Sequence, residues 1–269
     1  MPNDKKLCEI LSFTNTEPGK DIGIEIEMEG NKPFPQDGLG KWFTTEDGSL
    51  RGFSMEYVTN GPISYEEVGS YIDHLKNILA ESGVKIEQSF RAGVHVHINC
   101  LNLTVPQITT FATVYYCMET ALTRFCGERR EGNFFCLRLQ DAEYSLAVLC
   151  KTLKSKDLTW LNTDDLRYAA LNLRSLWRHG TLEFRAMETT PDLEKIQVWA
   201  EMLYRLREYS LTVTDRKLIA YDISYYGPKT WVEKVLGPET LELLDYQDLE
   251  RDVVKDMRMV QELINLKDK

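Results

Sequence analysis

Residues 23–30 read GIEIEMEG, with glutamate at every second position and isoleucine, isoleucine and methionine between. A period of two is the repeat of a strand, so Ile24, Ile26 and Met28 share one face while Glu25, Glu27 and Glu29 share the other. Three like charges along one strand repel. That face therefore meets open water, or it is held against something positive. Taken alone, an edge strand with a solvated acidic face satisfies the pattern, and the remaining strands decide between the two.

The segment after it, NKPFPQDGLG, is rich in turn formers and leads to a strand-like KWFTT. The turn EDGSLRG then precedes the strand FSMEYVT, which runs into the breaker NGP. From Ser64 to Ser82 the apolar residues Val68, Tyr71, Ile72, Leu75, Ile78 and Leu79 keep helical spacing, and Gly83 is a natural stop. GVKIE and AGVHVHINC predict two further strands. Pro106 to Phe125 predicts a long helix with its stripe at Ile108, Phe111, Ala112, Tyr115, Met118 and Leu122. RYAALNLRSL and GTLEFRAME predict a strand pair divided by a turn at Arg178-His179-Gly180. Beyond it two amphipathic stripes follow, Ile196/Trp199/Ala200/Leu203/Leu206 and Leu249/Val253/Met257/Val260/Ile264. Short strands in hairpin-like groups interrupted by long helices predict an α+β fold with a mostly antiparallel sheet, not alternating βαβ units. No repeat, low-complexity tract or linker divides the chain, so residues 1–269 are expected to form one domain. Its motif-bearing core covers about 21–190 and its helical C-terminal part 191–269.

Four of the strands carry charge on one face. GIEIEME is the first. In the second, GFSMEYVT, Glu56 stands within an otherwise apolar strand, following the Asp47-Gly48-Ser49 turn. In the third, His95, His97 and Asn99 alternate with Val94, Val96 and Ile98, and two of the chain's four histidines fall within three residues. An HxH strand projects both imidazoles the same way at about 7 Å, a common metal-binding arrangement. In the fourth, GTLEFRAME, Glu183 and Arg185 share a face opposite Leu182 and Phe184. Each pattern alone is ordinary for a solvated strand. Four together, on one curved sheet, would converge into a funnel of carboxylates, imidazoles and arginine. Carboxylates with imidazole suit hard divalent cations such as magnesium or manganese. An added arginine points to phosphate, whose transferring oxygens need cationic clamps.

The net charge of -10 argues against non-specific binding to nucleic acid or an anionic membrane. No apolar run approaches the about 20 residues of a membrane-spanning helix, and MPNDKKLCEILSF lacks signal-peptide architecture. The six cysteines form no CxxC pair or zinc-ribbon spacing, which suits a reducing cytoplasm. GxGxxG and GxxxxGK[ST] are absent, so the common nucleotide-binding folds lack support.

GIEIE, DGS followed by a strand glutamate, AGVHVHIN, and RYAALN followed by TLEFR stand in the motif order of the amidoligases, and the chain resembles that family from about residue 21 to 190. The family belongs to the glutamine synthetase and glutamate–cysteine ligase superfamily of carboxylate–amine ligases. The resemblance implies a funnel-shaped active site like that of the glutamine synthetase catalytic domain. It also implies an ATP-dependent reaction in which a carboxylate attacks the γ-phosphate and an amine then displaces phosphate from the acyl phosphate, leaving an amide. By the same resemblance two or more Mg2+ or Mn2+ ions are held by Glu25, Glu27, Glu56, His95 and Glu183. Arg185 contacts the phosphoryl group, and Glu27 and Glu183 act with it in catalysis. His97 and Asn99 lie nearer the nucleotide, Asn172 and Arg174 are phosphate or substrate contacts, and Asp47 and Ser49 line the substrate side. Glu29 exceeds the family's pair of glutamates and is assigned to the outer end of the strand, in solvent. The chain is smaller than full glutamine synthetases and shows no separate N-terminal domain, which leaves room for a partner chain, as in a homo-oligomer, to complete the substrate pocket. The substrates implied are a small-molecule or peptide carboxylate and an amine. Two readings compete: a two-metal phosphoester hydrolase or nuclease, which would use the same ligands, and a non-catalytic family member that only binds nucleotide.

Overall fold

In the computed structural model the described residues are 4–14, 19–244 and 246–266. Seven strands form one sheet: β1 Ile22–Gly30, β2 Trp42–Thr45, β3 Phe53–Thr59, β4 Ile86–Glu87, β5 Gly93–Asn99, β6 Leu171–Asn172 and β7 Thr181–Glu188. Their order is β2-β3-β1-β5-β7-β6, with β4 paired to the end of β1. Every pairing is antiparallel.

The period-two pattern decides which face is buried. Ile22, Ile24, Ile26 and Met28 of β1, with Met55 and Tyr57 of β3, Val94, Val96 and Ile98 of β5 and Leu182 and Phe184 of β7, are almost wholly removed from solvent. Each large side chain so buried contributes about 1.5–3 kcal/mol. Helices cover this face. In Val105–Tyr116, Phe111 and Tyr115 pack their rings on Phe184 at centroid distances of 5.5 and 5.0 Å. From Val68–Ser82, the Tyr71 carbonyl accepts the Trp42 indole N–H at 3.1 Å. Gly83 ends that helix in the left-handed region, φ 64°. Glu194–Thr212 buries Ile196, Trp199, Ala200, Leu203 and Leu206, the stripe expected from their spacing.

Three local expectations change. The strand expected through RYAALNLRSL is only the two-residue β6, and Arg174–His179 is a helix. Leu173 and Leu176 are buried three residues apart, RSLWRH contains no β-branched residue, and Gly180 at φ 69° supplies a helix stop rather than a hairpin turn. The helix expected from Pro106 to Phe125 is two, Val105–Tyr116 and Glu119–Cys126, divided at Met118 with φ -133°. Before the break Thr109, Thr110 and Thr113 each bond back to the carbonyl four residues earlier, a pattern that bends helices. GVKIE contributes only Ile86–Glu87.

The other face of the sheet is set by register. One row runs Phe43, Val58, Glu25, His95 across β2, β3, β1 and β5. A second runs Thr45, Glu56, Glu27, and a third Gly23, His97, Glu183, Asn172 across β1, β5, β7 and β6. Between the pairs Val94↔Met187 and Val96↔Phe184, β7 places Arg185 and Ala186 opposite His95 alone, a β-bulge. No helix among the described residues is long and apolar enough to cross a membrane. The six cysteines are free, five of them buried.

Candidate active site

The polar rows bring their side chains to the middle of the sheet. His95 Nδ1 lies 3.2 Å from Glu25 Oε2 and 3.9 Å from Glu183 Oε1, and its Nε2 lies 3.8 Å from Glu27 Oε1. His97 Nε2 approaches the other Glu25 oxygen at 3.3 Å. Arg185 Nη1 donates to Glu183 Oε1 at 2.6 Å and lies 3.4 Å from His95 Nδ1. Asn172 Nδ2 donates to Glu183 Oε2 at 2.6 Å. Glu27, His95 and Glu183 are only 4%, 4% and 6% exposed, although each is ionisable. The site thus gathers buried charge rather than solvated charge, which rules out the edge-strand reading of β1.

The electrostatics show what the cluster lacks. Burial favours the neutral form of Glu25, but the hydrogen bonds to His95 and His97 outweigh it and hold the carboxyl well below the usual range. For Glu183 burial is likewise outweighed, here by Arg185 and the two histidines. Burial moves Glu27 the other way and raises it. Glu56 is pushed up to about 8 by burial and by the charges of Glu25 and Glu27. Glu25 and His97 reinforce each other: burial opposes the imidazolium, yet Glu25 and Glu183 raise His97. Four carboxylates therefore share one arginine and two imidazoles, and Glu56 is the one that forms no ion pair among the described residues. Glu25, Glu56 and His95 bring one ligand atom each within 4.8 Å of one another. Ligands held at 2.0–2.6 Å around one cation are spaced by about 4–5 Å at most, so the donor set and its unbalanced charge fit a divalent ion.

Of the expected nucleotide-side residues, His97 and Asn99 line a cavity of about 460 Å³. Phe43, Val58 and Thr181 also face it, with Lys20 and His179 among its lining. Asn99 uses its side-chain oxygen to accept the Leu101 N–H at 2.9 Å. Arg174 is not brought to the cluster: its guanidinium pairs with Asp164 and its backbone N–H binds Asn172 Oδ1 at 3.0 Å. Asp47 Oδ1 accepts the Ser49 N–H at 2.6 Å, closing the turn beside the site; burial would raise its carboxyl, but this bonding with Ser49, aided by His95 and Arg185, lowers it. Glu29 is partly buried rather than simply in water, and its Oε1 accepts the Arg51 N–H at 2.7 Å.

Some contributors were absent from the sequence reading. Thr181 Oγ1 lies 2.9 Å from His97 Nδ1 and 2.7 Å from Ser175 Oγ. Thr181 stands two residues before Glu183, so the alternation already put it on the polar face. The Gly93 N–H donates to Glu27 Oε2 at 2.8 Å, and Thr189 Oγ1 donates to the Glu27 carbonyl at 2.5 Å. Backbone donors and acceptors leave no mark in a residue pattern.

A sheet with one face packed on helices and the other carrying a buried carboxylate–imidazole–arginine cluster defines an α+β protein with a site suited to a divalent cation. The chain belongs to the amidoligase family: residues 45–206 match the family model described as "Putative amidoligase enzyme". The matched residues include Glu56, His95, His97, Glu183 and Arg185. Glu25 and Glu27 precede them, and it is the pairing of β1 with β3 and β5 that brings these two into the site. No curated protein matches the chain.

Proposed function

We propose that the protein is an ATP-dependent carboxylate–amine ligase that joins a carboxylate to an amine and releases ADP and phosphate. The observation that carries this reading is the meeting of Glu25, Glu56 and His95 within 4.8 Å, beside an arginine fixed by Glu183. Family membership supports a ligase in general. The reading takes the polar face as a funnel like that of the glutamine synthetase catalytic domain, within a single domain over 1–269.

Glu25, Glu56 and His95, flanked by Glu27 and Glu183, would hold two or more Mg2+ or Mn2+ ions, which neutralise phosphate oxygens as charge develops. The chain's own residues do the rest. The cavity beside Glu25 and His97 has a volume within the range of small-ligand sites and is walled by Phe43 and Val58, which suits a nucleoside. Its contact with Glu25 directs the polyphosphate toward the carboxylate cluster. Arg185, anchored at 2.6 Å by Glu183, keeps its guanidinium beside His95, where a transferring phosphoryl group would lie. Asn172 fixes the second Glu183 oxygen, so the Glu183–Arg185 pair cannot rotate freely.

In the first step a carboxylate oxygen of the substrate bonds to the γ-phosphorus, and the bond to the β,γ-bridging oxygen breaks, with its electrons leaving on ADP. In the second the amine nitrogen bonds to the acyl carbon, phosphate leaves with the C–O electrons, and the nitrogen gives up a proton. Peptide and small-molecule acids both fit this chemistry. ADP release measured across pools of acids and amines, with the product weighed by mass spectrometry, tests the reading. Release that needs an acid, and is accelerated by an amine, is the expected result. Cleavage of phosphoesters without ATP would establish the hydrolase instead, and ATP binding without any turnover the non-catalytic alternative.

A further inference from the structure

Arg130 is 1% exposed and lies in the segment 127–136, far in sequence from every strand of the site. Its Nη2 donates to the Arg185 carbonyl at 2.8 Å and its Nε to the Ala186 carbonyl at 3.2 Å. These two residues form the bulge opposite His95, where the ladder between β5 and β7 is interrupted. A bulge leaves backbone groups unpaired and lets the strand change its direction. Here Arg130 takes up the two freed carbonyls, while the Arg185 N–H is held by the Ala170 carbonyl at 2.8 Å. The peptide that aims the Arg185 side chain is thus fixed from both ends.

The same guanidinium occupies the space where β5 has no side chain. A Cβ on Gly93 would stand 2.4 Å from Arg130 Nη2. Gly93 also donates its N–H to Glu27. Its register partner Glu188 is seated in reverse, against Gly127, where a Cβ would stand 2.1 Å from the Glu188 carboxyl carbon. Two glycines on facing segments therefore admit two charged side chains, one from each, and clasp the loop onto this end of the polar face. A buried guanidinium is costly to keep, and Nη1 of Arg130 has no hydrogen-bond partner. A residue serving packing alone would not need that charge.

We propose that Arg130 is a positioning residue that sets the direction of Arg185 and the placement of the Gly93–Glu27 contact; its kinetic consequence rests on the ligase reading above. It touches no reacting atom. Its effect passes through the bulge to Arg185 and through Gly93 to Glu27. Outer partners of this kind are worth about 10–100-fold in activity or metal affinity.

The test uses the full chain with Arg130→Ala, and reads two quantities. The first is kcat and KM for metal-dependent ATP turnover: kcat is expected to fall by about 10–100-fold with KM for ATP little changed, and added guanidinium, but not ammonium, to restore part of it. The second is the 15N–1H signal of the Arg185 Nε group in the metal-free protein. It is expected to move toward the position of a free arginine in the variant and to return with guanidinium. An unchanged Arg185 signal in a folded variant overturns the proposal. If the wild-type chain turns over no ATP, the ligase reading fails while the Arg185 signal still decides the role of Arg130. Should Arg130→Ala not fold, Arg130→Lys takes its place, since lysine keeps the charge but cannot hold both carbonyls with a planar fork. Lower thermal stability with an unmoved Arg185 signal would then mark Arg130 as purely structural and overturn the proposal.

Discussion

Glu25 and His95 are register partners on adjacent antiparallel strands, and the imidazole Nδ1 stands 3.2 Å from the carboxylate. Their backbone pairing, not a flexible side-chain reach, sets the distance. Glu25→Gln keeps the shape and removes the charge, so it is expected to lower Mn2+ affinity by at least the about 10–100-fold that outer partners cost. Glu29→Gln, which keeps the acceptor for the Arg51 N–H, is expected to leave that affinity near wild type. Titration of both variants by manganese EPR checks this, and equal losses in the two would remove the distinction between the glutamates.

Glu56 makes the site sensitive to pH. Burial and the neighbouring Glu25 and Glu27 oppose its charge and push its carboxyl up to about 8. A cation held there as proposed would bind the anionic form, so below that pH it would have to displace a proton. Apparent Mn2+ affinity is expected to rise from pH 6 to 8 and to level off above, with proton release measurable by calorimetry in buffers of different ionisation enthalpy. Glu56→Gln is expected to bind more weakly and to lose the slope assigned to this proton.

Arg185→Lys tests the proposed phosphoryl clamp. Lysine keeps the charge but replaces the planar guanidinium and its several donors with a single ammonium. If the arginine acts chiefly on the transition state, kcat falls by about 10²–10³-fold while nucleotide affinity falls far less. A steady-state comparison of kcat with an equilibrium nucleotide Kd separates the two effects. A loss confined to Kd would make Arg185 a ground-state binder.

Glu119, away from the site, gives a prediction for stability. It is 4% exposed, its Oε2 accepts the Leu139 N–H at 2.7 Å, and burial pushes its carboxyl up to about 8. The unfolded carboxyl ionises near 4.5. The folded state thus binds the proton more tightly, so this group favours folding fully below pH 4.5 and progressively less up to about 8. Glu119→Gln removes that dependence, and its stability relative to wild type is expected to improve between pH 5 and 9 by on the order of a few kcal/mol. Thermal melts across that range check the sign.

Much of the polar face was legible because strand alternation is exact in β1, β3, β5 and the first part of β7. Ile and Val on one side forced Glu25, Glu27, Glu56, His95, His97 and Glu183 onto the other. The Arg174 side chain escaped because RYAALNLRSL is apolar enough to pass for a strand, whereas Gly180 and the Leu173/Leu176 spacing make Arg174–His179 a helix that turns the guanidinium toward Asp164. Arg130 was invisible for a different reason. Its partners are carbonyls of a bulge, and a bulge is fixed by how two strands meet, not by the residues of either one alone. The Gly93 contact with Glu27 belongs to the same class.

The register of β1 against β5 has a further consequence for how this molecule comes into being. Glu25 and His95 stand 70 positions apart, with three other strands and a helix between them, so their side chains meet only after distant parts of the chain have found one another. Such pairing is slow compared with local helix formation. A metal ion therefore has nothing complete to hold in the early chain and cannot guide its collapse. Bound as proposed, it would be a late arrival that fastens a finished sheet and relieves a crowd of carboxylates the fold has by then assembled against their own repulsion.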